Sequence, residues 1–530
     1  MCSTLTTRSG CITSAESVLI TMQSHIQVLD FLAENATHEP TSQKRKIPIV
    51  SIAPQSLASL AAAVSSSSTT PVTPRQILHR TEAFFNQVLD VNYVYDTTFA
   101  RHLSLLEHTR EFWERKTQSA NGVRGALPML ASACPGWICY AEKTHSEMLP
   151  FISRTKSPQQ VMGTIVKSWL GSKWNIKWLL TFFHQTCTES VNSPDKIYHV
   201  TVMPCYDKKL EASRQDFYND VFATREVDCV ITTGELELLM REKSWDISVP
   251  VVNELVPTPP RTPPPGASGT DLGTTLPQMI SHPGTSSGSY LHTIIEAVRA
   301  RHRLDGSPDL ELSTKTLRSA DYEEYTLTDK ETGKVVFKGA KCYGFRNLQN
   351  IVRRVGKEAG VQTGKGAAGR LAGSRARVVK KTATGGGDVT LDYVEVMACP
   401  GGCINGGGQL KRREPTKVDP GQKDSEGYQR DWTEAGVDLG SGPGARWGDK
   451  EWTKEVERVY WMERDPDDPT HAGVDVFAVN MLHEICRSDA VPGLSWSESM
   501  DEKAEAQRRA LFRTEYRAVE SEVDGLFVKW

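Results

Sequence analysis

Val18, Leu19, Met22, Ile26, Leu29 and Leu32 recur at helical spacing behind Thr13-Ser14-Ala15-Glu16, which offers a capping box. The pattern predicts one amphipathic helix over 13–36. A polar stretch to Lys46 gives way to Ile47-Pro48-Ile49-Val50-Ser51-Ile52, a short buried strand. Helical periodicity returns over 74–90 and 99–117, with a strand at 93–95 between them. Two β-rich runs follow, 197–203 and 391–397, and a third at 227–232 leads into a helix capped by Thr232 with Glu235 three places on. Strands alternating with helices predict an α/β core.

Between these elements the pattern fails. Residues 257–289 open on Pro257-Thr258-Pro259-Pro260 and continue rich in Gly, Ser and Thr, which predicts a loose linker. From 364 to 381 there are six basic residues and no acidic one, a composition that suits a solvated, disordered loop better than a nucleic-acid site. Residues 406–450 are likewise polar and Gly-rich, and 500–520 reads as a charged helix with Ala510, Leu511, Tyr516 and Val519 available for packing. The chain divides accordingly into 1–46, a first lobe over 47–250, a linker over 251–289, and a second lobe over 290–499 with insertions near 360–388 and 406–450. A C-terminal helix over 500–522 and a tail over 523–530 complete it.

Composition narrows the classes. With 62 Lys+Arg against 65 Asp+Glu over 530 residues the chain is near neutral, which disfavours binding nucleic acid or an acidic membrane as its main work. No apolar run reaches the ~18 residues of a membrane span, and the start lacks the layout of a signal peptide. Eleven cysteines, an odd number, argue for reduced thiols rather than a disulfide framework. Cys139, Cys187, Cys229, Cys342 and Cys486 stand singly and are expected to pack. Gly360-Val361-Gln362-Thr363-Gly364-Lys365-Gly366 is one residue too short for a phosphate loop and lacks its Ser or Thr.

The chemistry concentrates in three segments, each an extended run that ends on a Cys beside a Pro: Ser132-Ala133-Cys134-Pro135-Gly136-Trp137, Met203-Pro204-Cys205-Tyr206-Asp207-Lys208, and Met397-Ala398-Cys399-Pro400-Gly401-Gly402-Cys403. Together they offer four thiols, the number a cubane iron–sulfur cluster takes from protein. Pro and Gly fix the turns and let backbone N–H groups approach sulfide. Zinc accepts the same thiolates, but its ribbons come as paired knuckles, and only Cys399 and Cys403 are close in sequence.

These segments, in this order, resemble the cluster-binding motifs of iron-only hydrogenases. The likeness is closer to the Nar family of cytosolic iron–sulfur assembly factors, in a fungal-type form with long insertions. Cys134-Pro135-Gly136-Trp137-Ile138-Cys139-Tyr140-Ala141-Glu142-Lys143-Thr144-His145 resembles that family, as do Thr155-Lys156-Ser157-Pro158-Gln159-Gln160-Val161-Met162-Gly163, Ser286-Ser287-Gly288-Ser289-Tyr290-Leu291-His292 and Ser9-Gly10-Cys11-Ile12-Thr13-Ser14. The resemblance implies a two-lobed, hydrogenase-like α/β fold with a buried [4Fe–4S] cluster between the lobes, ligated by Cys134, Cys205, Cys399 and Cys403. Lys208 matches a lysine that contacts the di-iron centre of hydrogenases, or serves here as an ion-pairing lysine beside an anionic cluster.

Two departures bear on function. Hydrogenases carry a proton-relaying Cys immediately before the first ligand, and here that position is Ala133; a methyl group relays nothing. The resemblance therefore implies a cluster-handling factor without hydrogenase activity, the alternatives being a working hydrogenase or a zinc-stabilised interaction protein. The family also holds a second [4Fe–4S] cluster on an N-terminal Cys run. Cys11 matches its last member, Leu5 and Arg8 stand where two ligands belong, and Cys2 falls outside the spacing, so a truncated N-terminus is expected. The implied role is to pass clusters from scaffold P-loop ATPases to a targeting complex that includes a WD-repeat β-propeller, and on to apo iron–sulfur clients. The expected place is the cytoplasm, with a nuclear pool allowed. Trp530 is the expected partner contact, since a terminal indole and carboxylate suit capture by a docking site.

Overall fold

The computed structural model describes residues 14–519 apart from 40–41, 43, 67, 69, 124, 172–193, 256–275, 307–308, 318, 360–389, 413–448, 464–469 and 487–500. Its strands in chain order are β1 (Ile47–Ile52), β2 (Tyr93–Asp96), β3 (Met129–Ala131), β4 (Ile197–Met203), the short pair β5 (Tyr218–Asn219) and β6 (Thr224–Arg225), β7 (Cys229–Thr232), β8 (Leu310–Thr316), β9 (Tyr322–Asp329), β10 (Val335–Tyr343) and β11 (Tyr393–Met397).

Two sheets organise the chain. The first runs β2-β1-β4-β7, all parallel, with Ile52 beside Asp96 on one side and Val202 on the other. Every residue of β4 is buried, as a central parallel strand covered on both faces must be, its polar His199 and Thr201 included. Val50, Ile52, Val200 and Val202 pack on one face against Leu57, Phe84 and Leu236, while Ile49 and Ile197 pack on the other with Phe99, Trp169 and Phe512. Each such side chain contributes about 1.5–3 kcal/mol when fully buried. The second sheet runs β3-β11-β10-β9-β8; β3, β11 and β10 are parallel, and β9 and β8 return antiparallel. β3, within the span expected for the first lobe, is thus an edge strand of the second sheet.

Four expectations are corrected by the structure. The expected 13–36 helix is two, Ser14–Met22 and His25–Ala36. They break at Gln23, whose side chain turns inward to donate to Lys209 O (2.9 Å) and to accept from Val230 N (3.1 Å), while Ser24 caps the second helix. Val18, Met22 and Ile26 are left exposed. The stretch 276–289 is not a loose linker: Asp96 accepts Met279 N–H, Leu276 and Ile280 enter the core, and Ser286, Ser287 and Ser289 are buried. Residues 406–410 of the expected insertion are packed, with Gly408 N donating to Pro204 O and Gln409 Nε2 to Gln55 O. The C-terminal helix spans Glu502–Phe512 and buries Ala504, Arg508 and Phe512, whereas Ala510 and Val519 are exposed. Its charge is why it docks: Arg508 pairs with Glu107, deep against the Thr98–Ala120 helix.

Candidate metal centre

β3, β4 and β11 all deliver their C-terminal ends to the junction of the two sheets, where ligands gather in parallel α/β folds. Past β3, Ser132 Oγ donates to Val396 O (2.6 Å) and accepts Cys134 N–H (3.0 Å), which ties the Cys134 loop to β11. Cys134 is then the N-cap of the Pro135–Thr144 helix, with Pro135 in the first turn, where its missing N–H costs nothing. Past β4, Pro204 and Cys205 precede the Asp207–Ala212 helix. Past β11, the Cys399–Cys403 turn needs positive φ at Gly401 (72°) and Gly402 (84°). A Cβ on Gly402 would collide with Ser287 Oγ, and one on Gly406 with Pro204 O, so the turn is pressed against both neighbours.

The four thiols share one electrostatic neighbourhood. Burial raises the Cys205 thiol first, and Asp207 and then Cys134, Cys399 and Cys403 raise it further. Burial, then Asp207 and Cys403, push Cys134 up to about 12, against the backbone N–H groups of Ala398 and Trp137 that point at its sulfur. Cys403 is also raised by burial, opposed by Lys208, Ser287 and Arg101. Raised in this way, Cys134, Cys205 and Cys403 hold their protons at neutral pH and release them to a cationic partner that relieves the mutual repulsion. Among the described residues no three His, Cys, Asp or Glu side chains converge as a single metal ion requires. The donor set fits a polynuclear iron–sulfur group: thiols from three separate turns, glycines, and N–H groups aimed at sulfur.

Lys208 is buried, and its Nζ donates to Glu211 Oε2 (2.8 Å) and Ser157 Oγ (3.0 Å), so the ammonium is held by a carboxylate. Beyond the Cys134 loop lies a cleft of about 390 Å³, counting space open to solvent, lined by Ala133, Cys139, Ser157, Glu211, Arg214 and Tyr516. Ala133 presents only its methyl group there. Cys229, Cys342 and Cys486 are buried, and Cys139 is half-buried. Cys2, Cys11, Cys187 and Trp530 lie outside the described residues, as do Leu5 and Arg8. Sequence reasoning missed Ser287, whose stretch carried a family likeness but no role, and Arg101, which sat unremarked in a helical pattern.

Residues 46–407 match the family described as iron-only hydrogenase large subunit, C-terminal domain. An apo [FeFe]-hydrogenase HydA1 variant from Chlamydomonas reinhardtii superposes with a TM-score of 0.55 at 21% identity, covering 93% of this chain and 99% of that one. A second [FeFe]-hydrogenase structure, concerned with oxygen inactivation, gives 0.57 at 20% identity over 93% of this chain and 99% of its own. The fold is therefore the hydrogenase-like α/β fold. Sequence relatives are nearer. The cytosolic Fe-S cluster assembly factor NAR1 of Cryptococcus neoformans is 42% identical over 97% of this chain and 85% of its own length. The assembly factor narfl of Danio rerio is 38% identical over 98% of both chains. The chain belongs to the family of cytosolic Fe–S cluster assembly factors built on the iron-only hydrogenase domain.

Proposed function

We propose that this protein matures cytosolic iron–sulfur proteins by holding a [4Fe–4S] cluster on Cys134, Cys205, Cys399 and Cys403 and by passing preassembled clusters onward. The observation that carries the reading is that these thiols, set at three strand ends of two sheets, act on Cys205 as one electrostatic neighbourhood. The bound cluster supplies iron that exchanges thiolate ligands without a redox step. Around it the chain's own residues do the rest: N–H groups of Ala398 and Trp137 face the Cys134 sulfur, and Ser287 holds the Cys403 backbone. Ala133 and the pairing of Lys208 with Glu211 support an assembly factor over a working hydrogenase. A second [4Fe–4S] cluster involving Cys11 belongs to the proposal on the family likeness alone. So do partners: P-loop scaffold ATPases, a targeting complex with a WD-repeat β-propeller that meets Trp530, and apo clients, all in the cytosol. Among the described residues no helix is long and apolar enough to cross a membrane.

Anaerobic purification followed by iron, sulfide and zinc analysis, hydrogen assay, and transfer to an apo [4Fe–4S] acceptor tests the proposal. Expected are iron and sulfide in equal amounts, no hydrogen evolution, and activation of the acceptor. Stoichiometric zinc in a colourless protein, or hydrogen evolution with infrared bands of CO and CN⁻, would overturn it.

A further inference from the structure

Arg101 lies on the Thr98–Ala120 helix and is 2% exposed. Its Nη1 donates to the Tyr460 hydroxyl, and its Nε has no hydrogen-bond partner among the described residues. Every other buried Arg or Lys among the described residues sits on a carboxylate: Arg80 on Glu254, Arg115 on Glu111, Arg508 on Glu107, Lys156 on Glu226, Lys167 on Asp228, Lys208 on Glu211, Lys209 on Glu235 and Lys338 on Glu324. Arg101 alone among them has no carboxylate. Taking a guanidinium out of water without a counter-charge carries a large desolvation cost, and buried charges are ordinarily paired for that reason.

The surroundings indicate what the missing anion is. The groups acting most strongly on Arg101 are the phenols of Tyr460 and Tyr290 and the thiol of Cys403. Burial raises the Tyr290 phenol, which stays neutral at physiological pH. The helix that carries Tyr460, Lys450–Tyr460, packs on the Cys403–Asn405 turn, and Ser287, three residues before Tyr290, holds the Cys403 N–H, so both neighbours of Arg101 border the last thiol turn. A [4Fe–4S]²⁺ core on four thiolates carries a net charge of about −2. Lys208, the other cation beside Cys403, is already committed to Glu211.

We infer that Arg101 is the buried counter-ion of the cluster: a positioning residue that has no carboxylate in the empty protein and gains its anion only when the thiol turns hold a cluster. The inference rests on the cluster reading above. It gives the site a built-in asymmetry, because the same residue is a burden on the empty protein and a clamp on the loaded one. Loading thus relieves an electrostatic cost that the fold otherwise bears, and release restores it.

The test compares full-length wild type, Arg101→Met and Arg101→Lys, each empty and after anaerobic reconstitution with iron and sulfide. Without iron, Arg101→Met is expected to melt at or above the wild-type temperature, since an unpaired charge has gone. Once loaded, it is expected to lose iron to EDTA roughly tenfold faster or more, the usual effect of removing a partner around a metal site. Its cluster should have a more negative reduction potential, because reduction adds negative charge beside a missing cation. Arg101→Lys, which keeps the charge, should recover most of the retention and potential. Equal losses of melting temperature in both states, or failure of Arg101→Met to fold even when empty, would make Arg101 merely structural. An unchanged potential and unchanged iron loss in Arg101→Met, beside a wild type that loads normally, would overturn the counter-ion alone. A wild type that takes up no iron would overturn the cluster reading and this inference together.

Discussion

The backbone N–H of Cys403 donates to Ser287 Oγ at 2.9 Å, joining the last thiol turn to a stretch whose composition reads as linker. Gly402 makes this approach possible, since any side chain there would meet the Ser287 hydroxyl and the Tyr343 ring. Ser287→Ala leaves a half-buried donor without its acceptor, a loss of about 1–3 kcal/mol. The expected result is a lower melting temperature with or without iron, and faster iron loss from the loaded protein. Calorimetry and a chelation time course measure both, and a variant matching wild type in each would show the contact to be incidental.

Lys208 and Glu211 are 8% and 12% exposed in their side chains, so neither charge is screened well by water. Lys208→Met strands the Glu211 carboxylate and is expected to cost about 3–5 kcal/mol of stability in denaturant titration. Lys208→Met combined with Glu211→Gln removes both charges and should recover much of that loss. If the double variant were as unstable as the single one, the lysine would be serving something other than its ion pair.

Two histidines make the protein sensitive to acid in a calculable way. Burial lowers His108 to about 4, with Glu111 opposing and Arg115 and Arg513 adding to the effect. Burial lowers His199 to about 3, partly offset by its bond to Glu226 O, while Ser51 Oγ faces its other nitrogen. An unfolded histidine titrates near 6.5. Above that value neither state is protonated and the native fold keeps its full stability. As pH falls from about 6.5 toward 4 the unfolded chain binds protons that the native state refuses, so stability drops by about 2.7 kcal/mol per unit for the two rings together. Denaturant titrations of the empty protein at pH 7, 6 and 5 should show this slope, and His199→Gln should halve it. A slope untouched by that substitution would mean that His199 is not held neutral.

Where one local rule governed a segment, the fold was readable from residues alone. β1 is buried from Ile49 to Ile52 and β4 throughout, and the Thr232–Glu235 capping box marks the end of β7 and the start of its helix, as expected. The thiol turns were legible because Cys beside Pro or Gly at a strand end is chemically unusual. The outer strands β8 and β9 have no counterpart among the expected elements. β8 reads Leu-Glu-Leu-Ser-Thr-Lys-Thr with most of its residues half or fully exposed, and its order comes from pairing with β9 rather than from an apolar pattern. The serines at 286–289 look like linker because what makes them structural is polar: Thr285 Oγ1 donates to Glu395 and Ser286 Oγ to Glu457, partners more than a hundred residues away. Gln23 broke an apparent helix for the same reason. Long-range hydrogen bonding to polar side chains leaves no periodicity to read.

The proposal as a whole stands on four thiols acting as one site, and Cys205→Ala tests that most directly. Cys205 is the one thiol supplied by the first sheet, so its loss breaks the bridge between the sheets while leaving the turns at Cys134, Cys399 and Cys403 intact. The measurement is iron and acid-labile sulfide per chain, made anaerobically on wild type and variant side by side. The expected result is about four iron and four sulfide fewer per chain in Cys205→Ala, the content of one cubane. Full iron and sulfide retained in that variant would contradict the shared site.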